Sequence, residues 1–568
     1  MNVPRVLRRI SLYSVLASSV LFAVSITSLW MGPLPAMEAN ALYFARSMPA
    51  TYWAGMGLLL IAVATVRPYP KIWPGVVVLV VLYVFGVQVF GFDNPRFLDT
   101  YNMGAGVQAV VGTGRIQSTW FADSGAFPGM YSFVASLVIL TNVDVEVYMR
   151  LYPVVIVGLV MLFVLVQIRR LGQMWVFGCL ALISASAWIL EWHLSRQSLA
   201  LLLYALLWFT IMRSIFTLDR VWRFLSILIY SSMIIIHPGT PLMVLGGFFI
   251  GGLAVRFADK ILPALRGTKE SLEISGIKLY AVPFSAIYLS WMFLNSERYL
   301  QMIWQPILEI ISGSQSRSIS ITRGLMFGGN YEIVHILRIG VIIFAILLSL
   351  FLLIFARRHT SRSVSWSIVL VSSPILFGVF SFLLSENLYL ERSFLFLSFG
   401  IAILIGGWDP RVTPKVRLLV YAFLAYGLLT TPLTRYGQEP SQYPMIPYIK
   451  GVEFVASIDF QTLPVHPNDA MYQWTLRNNP QATDSYSRFW PATDPKRVWS
   501  LFLSEPLVKI PRTDHTGRIW RGLMIDSIGL RFYAMSNQTR YHEILNYVYK
   551  NAEELSQVYC NNEVALLR

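Results

Sequence analysis

Two aspartates and a scatter of arginines are the residues whose types and spacing could do chemistry. Asp93 and Asp99 lie in the segment Gly91-Phe92-Asp93-Asn94-Pro95-Arg96-Phe97-Leu98-Asp99-Thr100-Tyr101-Asn102. A carboxylate beside apolar walls loses solvation, which makes it a candidate base or cation ligand. Asp123 follows in the same inter-span segment, after Trp120-Phe121-Ala122. Other polar residues gather in short stretches between apolar runs: Glu191-Trp192-His193 with Ser195-Arg196-Gln197, His237-Pro238-Gly239-Thr240, Glu386 to Arg392, and the isolated Arg150. Arginine holds phosphate oxygens through paired, charge-assisted hydrogen bonds. Arginines and carboxylates over an apolar bundle therefore suit a lipid phosphate. The arginines would bind the phosphate, greasy grooves the tail, and a carboxylate would deprotonate an acceptor. Each residue also has a purely structural reading. His237 could close a turn, and Glu391 with Arg392 could form a weak local ion pair. Arg196 and Arg150 could snorkel to headgroups. The aspartates could be solvated, with Asp99 a loose cap for a helix-like stretch at 103–111.

The elements that must position these residues are set by composition. The chain has 568 residues, 55% hydrophobic and only 13% charged, with a mean hydropathy of +0.57. That excludes a soluble enzyme and indicates an all-α polytopic membrane protein. Runs near the length a bilayer needs fall at 11–31, 51–66, 73–90, 151–166, 174–190, 198–212, 221–236, 240–255, 279–294, 334–355, 364–384, 393–407 and 418–431. These predict about 13 transmembrane helices. A further apolar segment, 126–140, is short and opens on a Phe127-Pro128-Gly129 break.

Charge decides the orientation and the status of that segment. With thirteen spans and a cytoplasmic N-terminus, every inner segment is basic. Examples are Arg5/Arg8/Arg9, Arg169/Arg170, Arg256/Lys260/Arg266 and Arg357/Arg358/Arg362. A fourteenth crossing at 126–140 would turn the later clusters outward, against the positive-inside rule. The segment is therefore expected on or in the external face. The formal net charge of +15 is then an orientation signal, and no nucleic-acid partner is implied. The first run is longer than a signal-peptide core and is expected to stay as an anchor.

This divides the chain into a membrane domain, 1–435, with a large first external loop at 91–150, and an extracytoplasmic soluble tail, 436–568. In the tail a helix-like stretch at 541–549 precedes two short strands at 557–559 and 564–567, around Cys560-Asn561-Asn562. A small external α/β appendage is expected. It carries the sequon Asn537-Gln538-Thr539. The external loop before the tenth span reads as an interfacial helix at 298–311 and a small, polar stretch at 312–320. Cys179 and Cys560 form no disulfide framework, and no Cys/His spacing indicates a metal.

The arrangement resembles the GT-C superfamily of membrane glycosyltransferases, which includes protein mannosyltransferases and aminoarabinose transferases. Leu98-Asp99-Thr100-Tyr101, Val107-Gln108-Ala109-Val110-Val111-Gly112-Thr113-Gly114-Arg115-Ile116, Phe127-Pro128-Gly129-Met130-Tyr131 and Arg150 are similar to the family's acidic residue, juxtamembrane helix and span-opening arginine. The resemblance to uncharacterised prokaryotic members extends to Ser195-Arg196-Gln197-Ser198, His237-Pro238-Gly239-Thr240 and Glu391-Arg392-Ser393-Phe394. Two features depart from it. Pro128-Gly129 stands where the family has two prolines, and the tail has no Trp-Trp-Asp string. The second departure argues for single-sugar transfer rather than sequon-directed oligosaccharide transfer.

The resemblance implies a GT-C-like fold at the cell (plasma) membrane. It implies a glycosyltransferase moving a sugar from a polyprenyl-phosphate donor to an external glycan, lipid or protein acceptor. Asp99, with Asp93 as rival, would be the catalytic carboxylate. Arg392, Glu391, Arg196, Arg150, His237 and Asp123 would bind substrate. No cofactor is required, though Asp93 and Asp99 could hold a divalent metal. The alternatives are a polysaccharide polymerase or ligase, a transporter-like membrane protein, and an inactive GT-C homologue. A polymerase would carry its arginines in a large late loop. A transporter would place polar groups mid-span and show paired halves, which the sequence lacks.

Overall fold

The computed structural model describes residues 5–31, 43–65, 72–92, 95, 97–116, 127–171, 174–189, 192–261, 278–295, 332–354, 361–383, 387–408 and 414–436, and four short strands beyond them. Its helices are α1 (Arg5–Met31), α2 (Tyr43–Ser47), α3 (Ala50–Thr65), α4 (Trp73–Phe90), α5 (Leu98–Thr113), α6 (Gly129–Thr141), α7 (Val145–Leu171) and α8 (Trp175–Ser186). They continue with α9 (Arg196–Thr217), α10 (Arg220–Ile236), α11 (Gly239–Ile261), α12 (Lys278–Asn295), α13 (Glu332–Ile354), α14 (Ser361–Leu383), α15 (Asn387–Gly406) and α16 (Pro414–Tyr436). Each of the thirteen expected apolar runs falls on one of these helices.

The body is all-helical and membrane-embedded. Among the described residues seven helices are long and apolar enough to cross a bilayer: α1, α4, α7, α9, α11, α13 and α16. Large apolar side chains also cover outward faces. Val221, Phe224 and Leu228 on α10 are exposed, as are Leu279, Val282, Phe293 and Leu294 on α12. Such apolar patches are costly in water and suited to lipid. Helix α6 has 13 residues, about 20 Å of rise against a core about 30 Å thick.

The centre of the bundle is α8, buried continuously from Val176 to Ser186. It packs against α7, α15 and α16, while α14 and α15 pair along their lengths and α9 pairs with α10. Small residues allow the closest crossings, as expected where no hydrophobic effect drives helices together in lipid. A Cβ on Gly178 would stand 2.9 Å from the Gly406 Cα, and one on Gly251 would stand 2.8 Å from the Val369 Cα. Gly251 ends a π-turn, Gly247–Gly251, and α4 carries another at Leu82–Gly86.

Three elements differ from the sequence reading in their bounds. Helix α5 begins at Leu98 rather than near 103, so Asp99 lies in its first turn instead of before it. Helix α8 ends at Ser186, and residues Ala187–Ile189 and Trp192–Ser195 form a buried turn where the run to 190 had predicted helix. Helix α15 begins at Asn387, so Arg392 is helical rather than part of a connecting loop. After Tyr436 the described residues are β1 (Thr462–Pro464), β2 (Gly522–Asp526), β3 (Gln557–Cys560) and β4 (Val564–Leu567), in the order β1-β2-β4-β3. The pair β3 and β4 is antiparallel. The stretches 298–320 and 541–549 and the sequon lie outside the described residues.

Candidate functional site

The turn residues Ala187–Ile189 and Trp192–Ser195 organise the polar end of the bundle. Ser195 is extended, with φ −145° and ψ 157°, and caps α9. Its hydroxyl accepts from the Ser198 backbone N–H at 3.1 Å, and the Ser198 hydroxyl reciprocates toward the Ser195 N–H at 3.4 Å. Such a reciprocal box satisfies two helix-terminal donors and fixes the entry of the chain. The Ser198 hydroxyl also donates to the His193 carbonyl at 2.8 Å and lies 3.3 Å from the Tyr152 phenol. Arg196 is thereby set as the first residue of α9. It is half-buried and makes no side-chain hydrogen bond among the described residues.

His237 closes the turn between α10 and α11. It is half-buried and extended, with φ −151° and ψ 128°. Its Nδ1 accepts from the Thr240 backbone N–H at 3.2 Å and lies 2.9 Å from the buried Thr240 hydroxyl. An acceptor at Nδ1 puts the proton of the neutral ring on Nε2. The following Pro238 carbonyl accepts from the Tyr288 phenol at 3.2 Å. Burial, then the charges of Arg392 and Arg196, hold the His237 pKa well below its ordinary value. The two arginines come from α15 and α9, so charges from two separate helices bear on the imidazole between α10 and α11.

Gly129 explains how α6 reaches this corner. A Cβ there would lie 2.7 Å from the Ile236 Cγ1 and 3.2 Å from the Ile235 carbonyl oxygen. The residue after Pro128 must therefore be glycine for α6 to start against the end of α10.

On the other side of the Ala187–Ser195 turn lies Arg435, which the sequence reading passed over. Its side chain is fully buried in the last turn of α16. It donates to the carbonyls of Ala187, Ile189 and Trp192, each at 3.0 Å, and to the Gln88 Oε1 at 3.3 Å. Its guanidinium carbon lies 4.7 Å from the centre of the Phe85 ring and 5.5 Å from that of Phe97. Arg338 reinforces the arrangement by donating to the Thr434 carbonyl at 2.9 Å and lying 5.4 Å over the Trp188 ring. A sequence signal for Arg435 existed: it continues the buried stripe Leu428, Thr431 at helical spacing.

Phe97 joins this cage to the first aspartate. It precedes α5 with φ 70° and ψ 123°, a left-handed backbone that a bulky residue rarely adopts. Its ring packs on His193 at 5.3 Å. The start of α5, with Asp99 as its second residue, therefore sits on the same turn that leads into Arg196. Negative charge is favoured in a helix's first turn.

The remaining candidates divide simply. Arg150 lies in α7, and one nitrogen of its guanidinium donates to the Val89 and Phe92 carbonyls at 2.9 and 3.0 Å, tying the end of α4 to α7. Glu391 precedes Arg392 in α15. Asp93, Asp123 and Glu191 lie outside the described residues. Among the described residues no group of three or more His, Cys, Asp or Glu side chains could hold a metal ion. Neither a family model nor a curated protein matches the chain.

Proposed function

We propose that this chain is a polytopic, inverting glycosyltransferase of the GT-C type, which moves one sugar from a polyprenyl-phosphate donor to an acceptor on the external face. The observation that carries the reading is that α5, with Asp99 as its second residue, is joined through Phe97 and His193 to the turn leading into Arg196, whose charge, with that of Arg392, bears on His237. Paired guanidinium groups are suited to a phosphate. Exposed apolar helix faces give a lipid tail a surface to lie along.

In this reading the Asp99 carboxylate takes the proton of an acceptor hydroxyl. The acceptor oxygen bonds to the anomeric carbon as the bond from that carbon to the phosphate oxygen breaks on the opposite face. The bonding pair leaves with the polyprenyl phosphate, and its added negative charge is stabilised by Arg392, Arg196 and the Nε2–H of His237. The scheme requires no metal, though Asp93 with Asp99 could hold a divalent cation. Thirteen crossings, a cytoplasmic N-terminus and an extracytoplasmic tail at the plasma membrane complete the proposal.

The decisive assay is transfer of labelled sugar from polyprenyl-phosphate donors to cell-envelope acceptors, wild type against Asp99→Asn. The variant is expected to bind donor and to transfer at least a hundredfold more slowly, by analogy with loss of a general base. Equal transfer by the two proteins refutes the mechanism. Cysteines placed at Ser314 and Ser485 are expected to react with an impermeant reagent from outside. Reaction only from the cytoplasmic side refutes the topology.

A further inference from the structure

The end of α9 opposite Arg196 carries a second group of arginines. Arg213 lies near the end of α9, Arg220 opens α10, and Arg223 follows one turn later. About 25 Å of helical rise separates Arg213 from Arg196, so these residues belong to the other end of the bundle. Arg213, Arg220 and Arg223 make no side-chain hydrogen bond or ion pair among the described residues. The Nε of Arg213 is buried without a hydrogen-bond partner among those residues, and its guanidinium carbon lies 5.4 Å from the centre of the Trp222 ring. Trp222 in turn packs edge-on against Phe209, with ring centres 5.8 Å apart. The one carboxylate in the sequence from Arg196 to Ile236 is that of Asp219, which caps α10 by accepting from the Val221 backbone N–H at 2.9 Å.

The same cations open an outward apolar face. Arg220, Arg223, Phe224, Ile227 and Leu228 recur at the spacing of one helix face, and all five are exposed. Phe224 is 64% exposed and Leu228 52%, while Ser226, Tyr230 and Met233 on the inner face are buried. The stripe thus begins with two guanidinium groups and continues as hydrocarbon for two turns. A glycerophospholipid has the matching profile, a charged phosphate followed by acyl chains.

We propose that this face of α10 binds an anionic glycerophospholipid. Arg220 and Arg223 hold the headgroup phosphate through charge-assisted hydrogen bonds. Arg213 adds its charge from beside Trp222, and an acyl chain lies along Phe224, Ile227 and Leu228. Three guanidinium groups beside a single carboxylate favour a headgroup of net negative charge over a zwitterionic one, whose own cation they repel. A second copy of the chain is a poor occupant. Two copies in one membrane run parallel, so a symmetric pair on this face would set each arginine against its counterpart. The site is separate from the Asp99 end, and its occupancy does not depend on the chemistry there.

The test is native mass spectrometry of the full-length chain in detergent, titrated separately with dioleoyl phosphatidylglycerol and dioleoyl phosphatidylcholine. Wild type should bind its first phosphatidylglycerol about tenfold or more tightly than its first phosphatidylcholine, at about fivefold for each arginine engaged. Arg220→Gln combined with Arg223→Gln should remove most of that preference. Arg256→Gln combined with Lys260→Gln takes two charges from the end of α11 instead and should keep it. Phe224→Ala should weaken both lipids by a similar factor and leave their ratio unchanged. Melting in lipid-free detergent establishes that each variant is folded before it is compared. Equal affinity of wild type for the two lipids overturns the proposal. So does an equal loss of preference in the Arg256 and Lys260 pair, which marks a diffuse surface charge instead of a site. Displacement of the bound phosphatidylglycerol by millimolar glycerol 3-phosphate also overturns it, because the headgroup alone would then be the ligand.

Discussion

Arg435 and Arg196 flank one short turn and differ in what surrounds their guanidinium groups. Arg435 is enclosed by three backbone carbonyls, an amide oxygen and two aromatic rings. Arg196 stands half-buried at a helix start, where its charge acts on a neighbouring histidine. The first arrangement engages both terminal nitrogens of the guanidinium within the protein, so its work is to hold the chain at Ala187–Ile189 and Trp192. The second leaves its charge bearing on His237, whose pKa is held down first by burial and then by the charges of Arg392 and Arg196. A buried arginine is thus a poor guide to a site when backbone carbonyls engage both of its terminal nitrogens, and one whose charge bears on a histidine is a better one.

Arg435→Met should give the largest effect. It leaves the carbonyls of Ala187, Ile189 and Trp192 without their donor, at about 1–3 kcal/mol for each group left unsatisfied. Unfolding in detergent should show a loss of about 3 kcal/mol or more, and Arg435→Lys should recover only part, because an ammonium lacks the planar fork. Near-normal stability in Arg435→Met would erase the contrast with Arg196. Arg196→Gln and Arg392→Gln come next. Each should weaken binding of a polyprenyl phosphodiester about tenfold or more, the scale of a lost charge-assisted hydrogen bond, while the melting temperature stays close to wild type.

Gly129→Ala tests the corner that both regions share. Its Cβ must displace Ile236, next to His237, at a cost of about 1–3 kcal/mol. Stability and phosphate binding should fall together, as read by melting and calorimetry on the same preparation. Arg150→Met should have the smallest effect, about 1 kcal/mol from two lost carbonyl contacts. Its phosphodiester affinity should be unchanged, which would align Arg150 with Arg435 rather than with Arg196.

The positions of the helices were legible because apolar run length is a direct consequence of burial in hydrocarbon, and each of the thirteen runs lies on a helix. Their ends were less so. The run to 190 reads as continuous helix, yet α8 stops at Ser186 because Arg435, distant in sequence, supplies the donors that a buried turn needs. Arg196, His237 and Arg392 were legible as polar residues at the edges of apolar runs, but that they bear on one another is a property of packing between α9, α10, α11 and α15. Asp99 was legible by type, whereas its place inside α5 depends on the backbone of Phe97, which no residue preference predicts. Arg435 was missed because it sits where a span gives way to the tail, a place where arginine is ordinary.

That Phe97 backbone has a consequence for how this protein can change. A non-glycine residue held at φ 70° carries a cost of about 1–3 kcal/mol, kept in place by the His193 ring and the Arg435 guanidinium. A lineage selected for heat resistance alone would gain by relaxing this residue, and would thereby let the start of α5 wander from the Arg196 turn. Thermal robustness and the placement of the start of α5 are therefore competing pressures on a single residue, and under the proposed mechanism a ranking of Phe97 variants by melting temperature should run opposite to their ranking by transfer rate.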